Sequence, residues 1–356
     1  MKQKKIAVAM SGGVDSAVAA LLLQQEGHLL IGLTMRLWSE TEQLEDDPCP
    51  PLDENAKDAA AIAEQLGFPH KTVGFGTRFR HCVIQPFLEE YIAGRTPNPC
   101  VECNRTIKFG ALYEQALAES CSALATGHYA RLEQDGAGQL LLKKAADITK
   151  DQSYFLWSLP RQLLPFLRFP LGNYTKSEIR AIAAKHGFIS AHRSDSQDIC
   201  FIPNGDYISF IEQHSDNSFP EGDFISPEGT VLGKHRGLIR YTVGQRKGLG
   251  IALGAPAFVS EKNALRNTVT LCSDRELYRN KLTARRINVL ISDIPDQPIR
   301  LEAKIRYRHS PAPVTVERIG EDRLSVVFDE PQRAIAPGQS LVLYDGDTVI
   351  GGGIIE

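Results

Sequence analysis

A loop rich in serine and glycine, Ser11–Ser16, lies between an apolar run and a stretch with helical periodicity. Glycine lets the backbone approach a ligand closely, serine hydroxyls donate hydrogen bonds, and the first turn of a helix presents unpaired N–H groups at the positive end of its dipole. These properties predict a phosphate site. A tight strand-to-helix turn that binds nothing has the same pattern, so the loop alone leaves both interpretations open.

The loop carries a carboxylate, Asp15, and lacks the lysine that completes the phosphate-binding loop of the common NTPases. A carboxylate beside a polyphosphate is tolerated chiefly when a cation bridges them, and Mg²⁺ is the simplest bridging cation. If the loop binds a polyphosphate, the sequence therefore predicts that Mg²⁺ binds with it.

A second reactive candidate is the C-x-x-C pair of Cys100 and Cys103, which follows the proline-containing segment 96–99. A helix that begins near Asn104 would place Cys103 beside a helix N-terminus, where a thiolate is stabilised and the pKa of cysteine falls. Structural zinc fits poorly, because a second C-x-x-C or a spaced histidine pair is missing. Thioredoxin-type redox chemistry is an alternative, although the preceding strand pattern does not match it.

The remaining cysteines give weaker signals. Cys200 has apolar neighbours, and taken alone it is typical of a small buried residue. We expect Cys82 and Cys121 in the core, whereas Cys49 and Cys272 have no chemical context. Seven cysteines, an odd number without a secretory signal, favour a reducing compartment, and we expect a cytoplasmic protein.

Secondary-structure elements must position these residues. Up to about residue 205, short apolar runs alternate with amphipathic stretches, which predicts a parallel sheet covered on both faces. The predicted strands are 5–10, 28–35, 70–73 and 122–127, and the predicted helices are 15–26, 54–66, 77–93, 105–119, 152–160 and 176–186. Doubly wound sheets bind ligands at the carboxyl ends of their strands. We therefore expect Met35, Gly127 and His128 at the same crevice as the loop. A structural role is the alternative for His128.

Beyond Pro203 the helical pattern fades, and short β-type runs over 224–275 and 282–355 predict two small β modules. The domains expected from this change are 1–205, 206–278 and 279–356. The acidic, proline-rich segment 39–52 is typical of a mobile loop.

The net charge of −3 gives no overall attraction to nucleic acid, so an RNA-binding surface must be a local basic patch. Residues 234–247 contain five basic and no acidic side chains, although a solvated basic face is the alternative. In a strand, Lys304, Arg306 and Arg308 would share one face at about 6.7 Å spacing, which is near the spacing of successive phosphates. No apolar stretch reaches the roughly 20 residues that span a bilayer, so we expect no membrane association.

Several separated segments together resemble one family, the bacterial tRNA-specific 2-thiouridylases, which belong to the N-type ATP pyrophosphatases or PP-loop enzymes. The loop Ser11–Ser16 matches the pyrophosphatase signature of that group. The other matching segments, in order, are 32–38, 96–99, 103–104, 107–109, 125–129, 150–156, 195–196, 199–201 and 241–250. The resemblance covers nearly the whole chain.

The resemblance implies an α/β fold, with a doubly wound adenine nucleotide α-hydrolase-like PP-loop domain followed by two small β modules, the last a β-barrel. It implies that ATP adenylates O2 of the wobble uridine, position 34, in tRNA for Lys, Glu and Gln. Sulfur then replaces that oxygen at C2, giving 2-thiouridine, AMP and pyrophosphate. The implied cofactors are ATP and Mg²⁺. The implied sulfur donor is a cysteine desulfurase or a relay protein that delivers a persulfide.

The resemblance also implies residue roles. Cys103 is the implied nucleophile, Cys200 is the implied persulfide carrier, and the two close a transient disulfide. The implied ATP-binding residues are Ala9, Met10, Ser11, Gly12, Gly13, Val14, Asp15, Ser16, Met35 and Gly127. The implied tRNA-binding residues are Asn98, His128, Lys150, Asp151, Gln152, Arg306, Tyr307 and Gln339. Because both cysteines lie on expected loops, we expect tRNA to assemble the site by induced fit.

One position departs from the family pattern, because many members carry Asp where this chain has Cys100. Cys100 is either a neutral replacement or one of three thiolates, with Cys103 and Cys200, that hold a [4Fe–4S] cluster with an open iron. We favour the persulfide relay over the cluster.

Two other functions remain as alternatives. Another ATP pyrophosphatase, such as an amidotransferase-type synthetase or a 4-thiouridine enzyme, would explain neither the pair Cys103 and Cys200 nor the β modules. A non-catalytic iron–sulfur or nucleotide-sensing RNA-binding protein would show no ATP turnover.

Overall fold

The computed structural model describes residues 3–37, 52–188, 199–291, 294 and 297–356. The chain divides into two compact units. The first unit comprises Met1–Val83, Cys100–Gln197 and Asp347–Val349, and the second comprises Ile84–Pro99, Asp198–Gly346 and Ile350–Glu356. The division at residues 205 and 278 stays a prediction. Cys49, Asp195 and almost all of the segment 39–52 lie outside the described residues.

The regular elements are numbered in chain order. The helices are α1 Val14–Gln25, α2 Glu54–Leu66, α3 Gly76–Phe79, α4 Gln85–Ile92, α5 Pro99–Cys103, α6 Leu112–Ala118, α7 Lys176–Lys185 and α8 Tyr207–His214. The strands are β1 Lys5–Ala9, β2 Leu29–Arg36, β3 His70–Gly74, β4 Ala123–Ala125, β5 Arg131–Gln134, β6 Leu140–Lys143, β7 Leu167–Arg168, β8 Gly222–Ile225, β9 Val231–His235, β10 Phe258–Asn263, β11 Thr268–Cys272, β12 Tyr278–Val289, β13 Ile299–Lys304, β14 Ala312–Arg318, β15 Arg323–Arg333, β16 Ser340–Asp345 and β17 Thr348–Ile355.

The first unit is built on a parallel sheet with the strand order β3-β2-β1-β4-β7. Ile6 and Val8 of β1 are fully buried and share a core with side chains of α1, α2 and α7, whereas α6 contacts β1, β2 and β4. Central strands covered by helices are uniformly apolar, which is the pattern of residues 6–10. The predicted doubly wound sheet is confirmed.

The strand order reverses between β1 and β4, because the chain runs outward from β1 to β2 and β3 before β4 pairs with the other edge of β1. Ligands of open α/β sheets bind where the order reverses, outside the carboxyl ends of the strands. The segments that follow β1 and β4 are therefore the ones that form the crevice. They are the loop Ser11–Ser16 and the segment 126–129.

Two predicted helices differ from the structure. Over 152–160 there is only a short 3₁₀ turn, Ser153–Phe155, because the Asp151 carboxylate accepts hydrogen bonds from the Ser153 backbone and hydroxyl and fixes a tight turn. The helix predicted to start near residue 105 begins at Pro99 and passes through a π-helical stretch, Asn104–Ala111, into α6. Proline suits the first helical position, since the N–H it lacks would be unpaired there.

The second unit contains two β modules. In one, β10, β11, β8 and β9 form a four-stranded sheet around Phe224, Val259 and Val269. In the other, β12, β15, β14, β13, β16 and β17 pair in that order, and β12 pairs with β17 to close a barrel. The predicted β modules and the terminal barrel are confirmed. No described helix is long and apolar enough to cross a membrane.

Candidate active site

The loop Ser11–Ser16 takes the shape expected of a phosphate site. Gly12 has φ +70°, and a Cβ there would lie 2.5 Å from the Asn55 carbonyl oxygen, so glycine is required for both conformation and space. The Ser16 hydroxyl donates to the Gly13 carbonyl at 3.0 Å and accepts from the Ser11 backbone N–H at 3.2 Å. α1 starts directly at Val14, with no side-chain cap on its N-terminus within the described part of the chain. Its first N–H groups are thus directed at the crevice.

Asp15 has two partners in the first unit that the sequence did not reveal. The Tyr129 hydroxyl donates to Asp15 Oδ1 at 2.8 Å. The Lys176 ammonium donates to Oδ1 at 2.8 Å and to Oδ2 at 2.9 Å, and only 11% of the Lys176 side chain is exposed. The loop therefore has a lysine after all, brought from a distant part of the chain. The only sequence signal was the capping box of Thr175 and Glu178, which marks the start of α7 but not what α7 contacts.

The end of β4 lies against the loop, as the doubly wound arrangement predicts. A Cβ on Gly127 would lie 2.9 Å from the Asp15 backbone carbon and 3.1 Å from the Ser16 nitrogen, so only glycine permits this approach. Met35, at the end of β2, is half-buried, and the neighbouring Thr34 hydroxyl donates to the Met10 carbonyl at 2.9 Å.

His128 is buried, and Thr126 Oγ1 bonds its Nδ1 at 2.7 Å. Its ring packs against Phe109 and Phe169, with centroids 5.7 and 6.1 Å away. Burial, and secondarily the charge of Lys108, holds the pKa of His128 well below its ordinary value. These contacts favour the structural alternative, in which a neutral imidazole shapes the crevice.

The predicted RNA-contacting segment 150–152 is fixed to the same region of the first unit. Asp151 is 5% exposed, and its carboxylate accepts from the backbone of Ala145 and from Ser153. Gln152 exchanges two hydrogen bonds with the backbone of Tyr129, at 3.0 and 2.8 Å. Gln152 thus holds the tyrosine that donates to Asp15, while the buried Asp151 shapes the turn.

Cys103 is 7% exposed and lies at the end of α5, five residues into a helical stretch. The expectation that it precedes a helix N-terminus is therefore wrong, because Pro99 starts the helix one turn earlier. Cys100, which is exposed, occupies the first turn instead. The helical stretch is anchored next to Cys103 by Asn104, which is 1% exposed and donates to the Phe155 carbonyl at 3.0 Å.

Cys200 lies in the second unit and is exposed, so the interpretation as a buried packing residue is wrong. The neighbouring Phe201 takes the buried position, with its ring 5.5 Å from Phe87 and 5.3 Å from Phe210. Phe201 anchors the turn, and Cys200 reaches solvent. Cys121 is buried as predicted, Cys82 is half-buried, and Cys272 packs with Phe258 and Leu277.

Among the described residues, no group of three His, Cys, Asp or Glu side chains is arranged to hold a metal ion. Cys100 and Cys103 lie in the first unit and Cys200 lies in the second, so the cluster alternative stays a prediction and we derive no step through it. Asp15 suits Mg²⁺ differently, since that ion is commonly held by one or two carboxylates together with substrate phosphates.

Two of the predicted tRNA contacts come together in the second unit. Thr96 donates its N–H to the Pro337 carbonyl at 2.8 Å, and the Gln339 amide donates to the Thr96 carbonyl at 2.8 Å. These bonds fix the segment that carries Asn98 to the turn before β16. Asn98 is half-buried and lies two residues after Thr96, whose carbonyl accepts the hydrogen bond from Gln339.

Two arguments for a basic RNA surface require correction. β13 ends at Lys304, so Arg306 and Arg308 do not continue its face. Arg306 donates instead to the Arg333 carbonyl at 3.2 Å. In the segment 234–247, Lys234 pairs with Asp223 and Arg240 pairs with Glu212. Acidic residues from other elements thus neutralise part of a segment that lacks acids in sequence. The exposed members are Lys234, Arg236, Arg246 and Lys247.

Three family models match consecutive parts of the chain. They are described as a tRNA methyl transferase HUP domain over residues 4–204, a tRNA methyl transferase PRC-barrel domain over 208–273 and an aminomethyltransferase beta-barrel domain over 279–355. The chain is 44% identical over 355 residues to the tRNA-specific 2-thiouridylase MnmA of Clostridioides difficile strain 630. The aligned region covers 99% of this chain and 98% of the relative. The chain belongs to the tRNA-specific 2-thiouridylase family.

Other family members are as similar. The enzyme of the same name from Syntrophotalea carbinolica is 47% identical over 99% of both chains, and that from Geotalea uraniireducens is 46% identical over 100% of this chain and 96% of its own. The family predicted from the separated motifs is thus confirmed. Membership in the 2-thiouridylase family assigns no role to a single residue, so the predicted roles of Cys103, Cys200 and the RNA contacts stay predictions.

Proposed function

We propose that this protein is a tRNA-uridine 2-sulfurtransferase that uses ATP to replace O2 of the wobble uridine, position 34, by sulfur in tRNA for Lys, Glu and Gln. One observation carries the proposal beyond family membership. The loop Ser11–Ser16, with Gly12 and Gly127 in positions that only glycine can occupy, opens at the reversal of the strand order in the first unit. That unit also carries Cys103.

ATP binding is supported by the loop and by the start of α1. The backbone N–H groups of the loop and the helix dipole favour the β- and γ-phosphates, which leave as pyrophosphate. The proposed binding set is Ala9, Met10, Ser11, Gly12, Gly13, Val14, Asp15, Ser16, Met35 and Gly127. Mg²⁺, when bound, would neutralise phosphate charge, and Asp15 would supply the carboxylate that holds it.

In the first step, O2 of the uridine attacks the α-phosphorus and the bond to pyrophosphate breaks, which leaves C2 carrying AMP as a leaving group. The terminal sulfur of a persulfide on Cys200 then attacks C2, and AMP departs with the oxygen. Cys103 attacks the inner sulfur as a thiolate, so that the S–S bond breaks, the electron pair stays on the sulfur now bound to C2, and a Cys103–Cys200 disulfide forms. A thiol reductant returns both cysteines to thiols.

The substrate and the sulfur supply follow from this chemistry. The uridine must leave its stack to reach ATP, so the RNA is gripped at an unpaired anticodon loop. The proposed direct contacts are Asn98, Lys150, Gln152, Arg306, Tyr307 and Gln339, whereas the buried His128 and Asp151 are proposed to position the backbone beside them. The exposure of Cys200 supports loading by a second protein, a cysteine desulfurase or a relay protein, because a donor's persulfide must reach the thiol directly.

Nucleoside mass spectrometry after anaerobic reaction with unmodified tRNA-Glu, ATP, Mg²⁺ and a persulfide donor tests the proposal. We expect 2-thiouridine with the wild type and with Cys82→Ser as the matched control, and none with Cys103→Ser or Cys200→Ser. Undiminished product from Cys200→Ser would refute its role. A parallel reaction with S-adenosylmethionine in place of ATP tests the methyl transfer that the family descriptions name. Methylated uridine there, without 2-thiouridine in the first reaction, would overturn the proposal.

A further inference from the structure

Lys176 is placed where a phosphate-binding cation would be needed. It is the first residue of α7, and its ammonium lies 2.8 and 2.9 Å from the two carboxylate oxygens of Asp15, which itself lies in the first turn of α1. Phosphates bind at that turn, because its N–H groups and the helix dipole attract negative charge. The ammonium is thus at the edge of the proposed pyrophosphate position.

The position of Lys176 is fixed by its surroundings. The Thr175 side chain and Glu178 form a capping box at the start of α7, and the Lys176 backbone N–H donates to the Asp147 carboxylate at 3.0 Å. The ammonium also lies 5.7 Å from the centre of the Tyr129 ring. A long lysine side chain held at its base in this way delivers its charge to one place, which lowers the entropy lost on binding.

We propose that Lys176 is an ATP-binding residue whose ammonium contacts the pyrophosphate part of the nucleotide, and so replaces the lysine that the loop itself lacks. The proposal rests on the proposed function, since it presumes that ATP binds at Ser11–Ser16. When ATP binds, the ammonium turns from the carboxylate to a phosphate oxygen, with or without Mg²⁺, and Asp15 would be the residue that holds Mg²⁺ when that ion is bound. Lysine suits this exchange because its donors lie on a compact charge at the end of a flexible stem.

A purely structural ion pair between α1 and α7 is the competing interpretation, and nucleotide binding distinguishes the two. The affinities of purified full-length protein for ATP, pyrophosphate and AMP can be measured by calorimetry, in EDTA and in Mg²⁺. Lys176→Met is compared with Lys185→Met, an exposed lysine in the last turn of the same helix. Lys176→Arg keeps the charge and serves as the conservative variant.

If Lys176 contacts the pyrophosphate part, Lys176→Met weakens ATP and pyrophosphate binding by about tenfold or more, because a hydrogen bond to a charged group is lost. The loss persists in EDTA, whereas the affinity for AMP stays within about twofold of the wild-type value. Lys176→Arg recovers part of the lost ATP affinity, and Lys185→Met behaves as the wild type. With Lys176→Met folded as the wild type, equal losses for AMP and ATP, or no loss for either, would overturn the proposal.

A misfolded Lys176→Met protein would lose affinity for AMP as well as for ATP. The Lys176→Arg variant then distinguishes a phosphate contact from a structural ion pair. Weakened ATP and unchanged AMP affinity in the arginine variant supports the contact, whereas unchanged affinity for both refutes it. Failure of the sulfurtransferase proposal has a different signature, namely ATP binding without 2-thiouridine. Unaltered ATP affinity of Lys176→Met in an enzyme that thiolates tRNA would refute only the role of Lys176. A wild-type protein that binds no ATP would also refute the role of Lys176, because that role presumes ATP binding.

Discussion

Lys262, on β10 in the second unit, is a buried cation whose ammonium has no hydrogen-bond partner among the described residues. The ammonium lies over the face of the Tyr91 ring, 5.8 Å from its centre. Burial lowers the pKa of Lys262 to about 8, from an ordinary 10.5. At neutral pH the folded protein therefore keeps a charge in a poorly solvated place.

This burial predicts a pH dependence of stability. Between pH 8 and 10.5 the unfolded chain holds more protons on Lys262 than the folded chain. The free energy of unfolding therefore rises with pH in that window, and below pH 8 the penalty is constant. Lys262→Met should raise the free energy of unfolding at pH 7 by on the order of 1–3 kcal/mol. It should also flatten the rise above pH 8.

Thermal unfolding of both proteins at pH 7, 8.5 and 10 tests this expectation. The matched control is Lys281→Met, an exposed lysine of the same unit. A lower melting temperature of Lys262→Met at pH 7 would contradict this expectation. So would a difference in melting temperature between pH 7 and 10 that is the same in both proteins.

At the scale of residues, the sequence was informative where chemistry depends on neighbours in the chain. The serines and glycines of Ser11–Ser16 predicted the phosphate loop, because its conformation is local. Lys176 could not be predicted, since it contacts Asp15 from 161 positions away and a lysine at a helix start is common. The exposure of Cys200 was missed for a related reason, because the buried apolar positions beside it are filled by Phe201 and Ile202.

At the scale of elements, the segment from Gly94 to Pro99 is held by the turn before β16. Gly338 has φ +90°, and a Cβ there would lie 2.9 Å from the Thr96 nitrogen and 3.0 Å from its carbonyl carbon. Glycine therefore permits the two backbones to meet. Since Asn98 is proposed to touch the target base, this contact positions a substrate-binding segment.

Gly338→Ala should lower tRNA affinity and thiolation as well as stability. The matched control is Gly320→Ala, which has φ +79° and nothing within 4 Å of an added Cβ. Both variants carry the cost of a left-handed alanine, about 1–2 kcal/mol. Only Gly338→Ala also displaces Thr96. Melting temperatures and filter binding of tRNA measure the two effects, and equal tRNA affinity in both variants would refute the positioning role.

The elements themselves were predicted well where hydrophobic periodicity is regular. The bounds of α2 were predicted from the sequence, and α1, α7, β1, β2 and β3 differ by one or two residues. The start of the helix that carries Cys103 was missed, because two prolines suggested an extended segment and the second, Pro99, is instead the first helical residue. The 3₁₀ turn at Ser153 was missed because Asp151 competes with the helix through its side chain.

At the scale of the whole molecule, charge decides how tRNA is attracted. Removing Arg236, Arg246 and Lys247 together should weaken tRNA binding and reduce the salt slope of log K by about 0.7–0.9 per lost phosphate contact. Removing Lys234 and Arg240 should change the slope less, since both are already paired with acids. Binding measured from low to moderate salt tests this. Equal salt slopes of tRNA binding in the two variants would contradict the assignment of the RNA to Arg236, Arg246 and Lys247.

The architecture was predictable because a parallel sheet and a β-barrel have different sequence periods, and the change between them near residue 205 is visible. The contacts between sequence-distant segments were not. The segment Ile84–Pro99 clusters with the C-terminal modules although it lies in the middle of the first predicted domain. No local sequence pattern predicts this placement, because Thr96 takes part through its backbone alone, donating to the Pro337 carbonyl and accepting from the Gln339 side-chain amide.

The central claim is that the uridine oxygen itself becomes the oxygen of AMP. It is tested most directly with tRNA-Glu that carries ¹⁸O at O2 of uridine 34, treated with the enzyme, ATP, Mg²⁺ and a persulfide donor. Mass spectrometry of the released AMP should show one ¹⁸O for each 2-thiouridine formed. Unlabelled AMP accompanying 2-thiouridine would contradict adenylation at O2.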